Sequence, residues 1–370
     1  MRLLCYLTFL SEHYRNTLKQ CSYRIATGTR TRERHKMDLS SSLLIFVACL
    51  AATTCNGRPS DPQPVKTYDV DLNSDPHDRW GKVLDDHRVY LPEIEQMVAN
   101  YIPEELLPVV QQIAKDIENI LPSPFAQEII DAILLNILYD LTAYCTSIVA
   151  QDGNGTIWHA RNLDYSNTDI LRNLTVSVNF RRGNETVYTG TTYAGYVGLL
   201  TGQRPNAFTV TIDQRGVEEK HDGKWWENLL TAVLDRNSSF VSFLVRQLAT
   251  TVIHATAYVI VGGVKKGEGV IITRDRVAAL NRYYLDPLNN RWYVLETNYD
   301  HWLPAPPGDN QRRAVGEKEM DKLGATAVNA TTLYTVLSTT PVLNNGTTYT
   351  TIMSAAQPAV FNTRVRWPPL

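Results

Sequence analysis

The sequence predicts an α+β fold in which helices pack on the faces of antiparallel sheets. Three observations carry that class. Apolar residues recur with a helical period between residues 91 and 141. The period changes to two at Cys145, and helical stretches interrupt and follow the strand block that begins there. The chain has 370 residues, 44% of them hydrophobic and 20% charged, which is an ordinary globular balance with room for one large domain or two. A net charge of −2 gives no electrostatic case for a nucleic-acid partner.

Residues 1–57 read as an upstream extension and a signal peptide, the latter at about 37–55. Arg30, Arg32, Arg34, His35 and Lys36 precede Met37. An apolar run from Leu43 to Ala52 follows, too short to span a bilayer and ending in small residues. A signal-anchor that stays attached is the alternative. Sequons at Asn154, Asn173, Asn184, Asn237, Asn329 and Asn345 agree with the secretory route. Of the five cysteines, Cys5, Cys21, Cys49 and Cys55 lie in the leader or at its cleavage zone. The mature body then holds one thiol, Cys145, and no disulfide framework. Such a thiol is either buried and inert or chemically employed.

Residues 58–144 form a helical part. It opens with a polar lead-in over 58–89, with one short strand around Tyr68, Val70 and Leu72. Helical patterns cover 91–101, 104–121 and 123–141, the last opened by Ser123-Pro124. The run from Ile129 to Leu138 is apolar on most faces, which fits a core helix or a surface that touches lipid. Residues 145–370 form the strand-rich part. A strand over 145–150, a turn over 151–155 carrying Asp-Gly and Asn-Gly, and a returning strand over 156–161 make a hairpin. Further strands are expected at 174–180, 186–192, 207–213, 257–261, 269–274 and 292–296. Helices are expected at 225–234, 240–249, 311–323 and 332–337.

The hairpin directs the chemistry. With Gly153-Asn154 as turn residues, Cys145 lies opposite Asn162; with Asn154-Gly155, it lies opposite Asp164. Either register sets Arg161 and Asp164 beside the cysteine, on strands roughly 4.8 Å apart. Arg161 would favour the thiolate. Asp164 would accept from a nearby ammonium and orient it. An ordinary Arg–Asp pair closing a hairpin is the plain alternative. His159 sits at a different level from Cys145, and His221, His254 and His301 are scattered, so no histidine is placed as a base. A thiol without one can use its own α-amine, of reference pKa about 8, once the preceding peptide bond is cut. That reading makes the chain a precursor that cuts itself between Tyr144 and Cys145. The histidines lack the spacing of a metal site, no cofactor is expected, and no G-x-S-x-G elbow is present.

Several motifs resemble the acid ceramidase family of N-terminal-nucleophile hydrolases, over about residues 68–364. They are Cys145-Thr146-Ser147-Ile148-Val149-Ala150, Arg161-Asn162-Leu163-Asp164-Tyr165, Gly195-Tyr196-Val197-Gly198, Thr201-Gly202 and Glu296-Thr297-Asn298-Tyr299-Asp300-His301-Trp302. Thr189-Gly190-Thr191-Thr192 and Trp225-Trp226-Glu227-Asn228 lean toward its N-acylethanolamine-hydrolysing branch. The resemblance implies an αββα sandwich of the N-terminal-nucleophile type with an added N-terminal helical subunit. It implies a lysosomal precursor that cleaves itself in acid into a helical α-subunit, 58–144, and a catalytic β-subunit, 145–370, which stay together as a heterodimer. It implies hydrolysis of N-acylethanolamines such as palmitoylethanolamide. Hydrolysis of N-acylsphingosine is one alternative, and an inactive secreted lipid-binding relative is another. The apolar helices 104–120 and 125–138 would bring the protein into peripheral contact with anionic lysosomal membranes. By position, the resemblance makes Cys145 the nucleophile and, through its amine, the general base. It makes Arg161 and Asp164 the groups that position amine and thiol, and Asn298 a donor to the oxyanion. The chain departs from the family twice: Gln214 stands where glutamate is usual, with a consequence for maturation, and the stretch 246–258 looks about one helix short.

Overall fold

The computed structural model describes residues 60–75, 78–90, 93, 143–165, 168–196, 198–216, 245–253 and 256–368. The leader, the helices expected between 91 and 141, the helix at 225–234, the start of that at 240–249 and Asn237 lie outside them. Ahead of Cys145 come β1 (Gln63–Pro64), β2 (Lys66–Asp71) and α1 (Gly81–His87). The hairpin is β3 (Tyr144–Gln151) and β4 (Ile157–Asp164), followed by α2 (Thr168–Leu174). Then come β5 (Thr175–Arg182), β6 (Glu185–Tyr193), β7 (Thr201–Arg204), β8 (Phe208–Gln214), α3 (Val245–Thr250), β9 (Ala257–Gly262), β10 (Gly269–Arg274) and β11 (Ala279–Tyr284). The chain ends through β12 (Tyr293–Glu296), α4 (Arg312–Leu323), α5 (Ala330–Leu337), β13 (Thr347–Met353) and β14 (Phe361–Val365).

These elements make an α+β fold on two sheets. One runs β1-β14-β13-β4-β3-β12 and the other β11-β10-β9-β8-β7-β6-β5-β2. Every pairing is antiparallel except that of β2 with β5. The described residues ahead of Cys145 supply the edge strand β1 to one sheet and β2, the short strand expected around Tyr68 and Val70, to the other. Asp61 fixes that lead-in to the far end of the chain, accepting from Arg366 Nε at 2.9 Å and from the Trp367 main-chain N–H at 2.7 Å.

The hairpin adopts neither expected register. Gln151 pairs with Ile157, so residues 152–156 form a longer loop and Cys145 faces Leu163. Asp152 is the cause. Its Oδ1 accepts from the main-chain N–H of Asn154 and of Thr156, both at 2.9 Å, and its main-chain oxygen accepts from Gly155 at 3.0 Å. Gly155 supplies the φ of +93° that this loop needs.

Side chains alternate across these strands. On one face Ile148, Ala150, Trp158 and Ala160 pack with Leu333, Val336 and Leu337 of α5 and Met320 of α4. On the other face Val149 and Ile157 pack with Tyr258, Ile260 and Ile271 of the second sheet. The two sheets thus stack through a partly apolar, partly polar layer, and α4 and α5 cover the outside of the six-stranded sheet. Leu248 and Ala249 of α3 join the apolar cluster of Val259, Val261, Val270 and Ile272.

Strands β1, β7, β11, β13 and β14 and helices α1 and α2 were not anticipated. In β13 all seven residues are buried and four are threonines, so no polar–apolar alternation marks it. The strand expected from residue 174 begins instead at Thr175, because Leu174 closes α2. Helix α5 starts earlier than its apolar pattern, at a capping box in which Asn329 accepts from the N–H groups of Thr331 and Thr332. Asn154, Asn173, Asn184, Asn329 and Asn345 are all exposed.

Candidate active site

Strand β12 pairs with β3 as far as Glu296 opposite Ser147 and stops there. The Cys145 main chain lies beyond that ladder and is held by side chains instead. Its N–H donates to Asn298 Oδ1 at 2.9 Å, and its carbonyl accepts from Arg312 Nη1 at 2.6 Å. Its thiol receives Arg161 Nη2 at 3.0 Å. Cys145 has no solvent exposure while Tyr144, one residue before it, is 49% exposed.

Arg161 reaches the thiol because residues 161 and 163 of β4 share the face of Cys145. Its guanidinium is fully buried, and Nη1 donates to the Leu200 carbonyl and the Thr201 hydroxyl, each at 3.0 Å. A fixed cation this close to sulfur favours the thiolate. Nη2 also lies 3.5 Å from Asp213 Oδ1.

This register does not bring Asp164 to the thiol as expected. Asp164 falls on the opposite face from the thiol, where its Oδ2 accepts from Asn344 Nδ2 at 3.0 Å and lies 3.7 Å from Arg312 Nη1. Arg312 thus links Asp164 to the Cys145 carbonyl from behind the strand. Burial raises the Asp164 pKa against the pull of Arg312 and Asn344. The carboxyl on the thiol's face is Asp213 of β8. Its Oδ1 lies 2.8 Å from Ser147 Oγ, and burial pushes its pKa up to about 7 against the opposing pull of Arg161.

Asn298 is placed at Cys145, but by its oxygen. Oδ1 accepts from the Cys145 N–H and from Arg312 Nη2, while Nδ2 donates to the Gln214 carbonyl at 2.8 Å. In this arrangement its amide oxygen faces the Cys145 peptide nitrogen. Alternation turns Gln214 to the face of β8 away from Asp213, and its main-chain oxygen is what steadies Asn298.

Charged groups continue below the site. Asp300 accepts from Arg215 Nε and Nη2, and from the Tyr258 hydroxyl, at 2.7 Å in each case. Arg313 closes on Glu296, whose pKa burial raises to about 8. His159 is fully buried between Thr209 and Thr211, and burial lowers its pKa to about 3. His301 stacks on Tyr283. Among the described residues no group of three or more His, Cys, Asp or Glu could hold a metal ion. Sequence reasoning missed Asp213, Ser147 and Arg312. Alternation along 207–213 could have turned Asp213 inward once the facing sheet was known; Arg312 carries no local signal.

Residues 63–121 match the family described as the beta subunit of N-acylethanolamine-hydrolyzing acid amidase. The N-acylethanolamine-hydrolyzing acid amidase of Mus musculus is 40% identical, across 90% of this chain and 97% of that protein. Acid ceramidase of Bos taurus is 33% identical, across 84% of this chain and 88% of that protein. The solved structure of a Caenorhabditis elegans N-acylethanolamine-hydrolyzing acid amidase ortholog superposes with a TM-score of 0.54 at 34% identity, covering 60% of this chain and 100% of that one. The chain belongs to the family of amide hydrolases that joins the N-acylethanolamine-hydrolyzing acid amidases and the acid ceramidases.

Proposed function

We propose that this amide hydrolase matures by cutting its own Tyr144-Cys145 bond and then hydrolyses N-acylethanolamines with Cys145 as N-terminal nucleophile. One observation carries the reading: the thiol, the nitrogen and the carbonyl of Cys145 are each held by a side chain from a different part of the fold. A buried inert cysteine needs none of these. In the precursor, Sγ attacks the Tyr144 carbonyl carbon. The C–N bond breaks, the Cys145 nitrogen leaves with a proton, and water hydrolyses the resulting thioester. The freed α-amine, still against Asn298 Oδ1, becomes the base, a role that His159, neutral and spent on two threonines, does not fill. In turnover the same thiolate attacks the amide carbon of the lipid, ethanolamine departs with a proton from the amine, and water releases the fatty acid.

The two pieces would remain one heterodimer in an acidic compartment of the secretory route, a four-layer αββα body with its helical subunit. The exposed sequons support secretion. The experiment is acid incubation of the purified chain, with intact mass and N-terminal sequencing, then side-by-side turnover of palmitoylethanolamide and ceramide. A new chain beginning at Cys145 and faster ethanolamide turnover is the expected result. An uncut chain at every acidic pH, or a ceramide preference, overturns the corresponding half.

A further inference from the structure

Five buried contacts run in series from the thiol's neighbour into the sandwich. Asp213 Oδ1 meets Ser147 Oγ at 2.8 Å, and Ser147 Oγ meets Thr211 Oγ1 at 3.0 Å. Thr211 Oγ1 meets His159 Nε2 at 3.0 Å, His159 Nδ1 meets Thr209 Oγ1 at 2.9 Å, and Thr209 Oγ1 meets the Gly262 carbonyl at 3.3 Å. The last approach requires glycine, because a Cβ on residue 262 would lie 2.7 Å from the Thr209 hydroxyl. All five residues that contribute side chains are buried.

The hydrogens can be counted. Each hydroxyl and the neutral imidazole supplies one, giving four for five contacts. A fifth is present only if Asp213 carries it. Then every group donates in one direction: Asp213 to Ser147, Ser147 to Thr211, Thr211 to Nε2, Nδ1–H to Thr209, and Thr209 to the Gly262 carbonyl. With Asp213 ionised, Ser147 must donate to the carboxylate and one contact is left without a hydrogen. The one given up at least cost is the longest, at Gly262, which turns the chain round and puts the imidazole hydrogen on Nε2.

We propose that this chain holds Asp213 as a neutral carboxylic acid, and that Asp213 is thereby a positioning residue that leaves the Arg161 charge to the Cys145 thiolate. Arg161 Nη2 stands between the two acids, 3.0 Å from sulfur and 3.5 Å from Asp213 Oδ1. An ionised Asp213 would share that cation and repel the thiolate; a neutral one does neither. Besides Cys145 and Arg161, the charged or titratable groups facing Asp213 are Arg312 from α4, Glu296 from β12 and Tyr349 from β13. Glu296 is itself paired with Arg313. Burial and the missing hydrogen both oppose ionisation, so acid conditions complete the chain and remove the carboxylate that would compete with sulfur for Arg161. The inference rests on Cys145 as the nucleophile, but its test needs neither self-cleavage nor substrate.

The test reads the His159 tautomer by imidazole nitrogen NMR on the full chain from about pH 5 to about pH 8.5, with His159→Gln for assignment. The expected result is hydrogen on Nδ1 at the acid end and on Nε2 at the alkaline end. In Asp213→Asn, whose amide donates and accepts as the neutral acid does, Nδ1–H should persist throughout. Modification of Cys145 by a small thiosulfonate, followed by peptide mass, should be about tenfold faster in Asp213→Asn than in wild type at about pH 7.5, one pKa unit of thiolate. At about pH 5 the two should agree within about twofold. A wild-type tautomer that does not change overturns the proposal and needs no variant to fold. So does a folded Asp213→Asn chain whose Cys145 is slower at both pH values, a sign that the carboxylate itself is required.

Discussion

The two faces of the β3–β4 hairpin are equally buried and do opposite things. Outward, Ile148, Ala150, Trp158 and Ala160 lie under α4 and α5 as an apolar seam, with the buried Asn162 and Asp164 at its end. Inward, Cys145, Ser147, His159 and Arg161 meet Thr209, Thr211 and Asp213 across the sandwich. The same backbone therefore carries a face whose worth is packing and a face whose worth is charge and hydrogen placement. Burial alone does not tell a structural strand face from a reactive one; what separates them is a guanidinium and a carboxyl gathered beside one thiol.

Substitutions should fall into the two classes. On the inner face, Cys145→Ser should leave the chain uncut and lower amidase turnover at least about 1000-fold, measured by intact mass and ethanolamine release. Arg161→Met takes a buried donor from the Cys145 thiol, the Leu200 carbonyl and the Thr201 hydroxyl. Each buried acceptor left unpaired should cost about 1–3 kcal/mol by urea unfolding, and thiol reactivity should fall as well. On the outer face, Leu337→Ala should cost about 2–5 kcal/mol with self-cleavage at permissive temperature unchanged. A Leu337→Ala chain that folds but does not cut would break the division.

The smallest expected effect is on the pH dependence of stability. Asp213 and Glu296 hold their protons in the fold up to about pH 7 and 8, whereas in the unfolded chain they release them near 4. Between those limits the folded state binds more protons than the unfolded one, so its stability falls as pH rises. Tm should drop from about pH 5 to about pH 8, and less so in Glu296→Gln. A Tm that climbs over that interval would contradict the assigned burial.

The sequence exposed the hairpin, its cysteine and Arg161 because these are local. A period of two, turn residues and a single thiol are visible within about twenty residues. It misjudged the register because Asp152 closes the loop with its side chain, a feature that dipeptide turn rules ignore. One residue of register moved Asp164 to the other face. Asp213 and Arg312 were out of reach for a different reason: each comes to Cys145 from a distant strand or helix. β13, threonine-rich and buried on both faces, had no pattern to find.

The strands β1 and β2, one at the edge of each sheet, give the proposed cut an unusual outcome. A break between Tyr144 and Cys145 would fall between pieces that are already woven together, since the leading piece borders both sheets and is clasped at Asp61 by Arg366 and Trp367. Parting them would mean unzipping two β-ladders at once. Cleavage would thus act as a latch that cannot be reset, and the two polypeptides would share one lifetime.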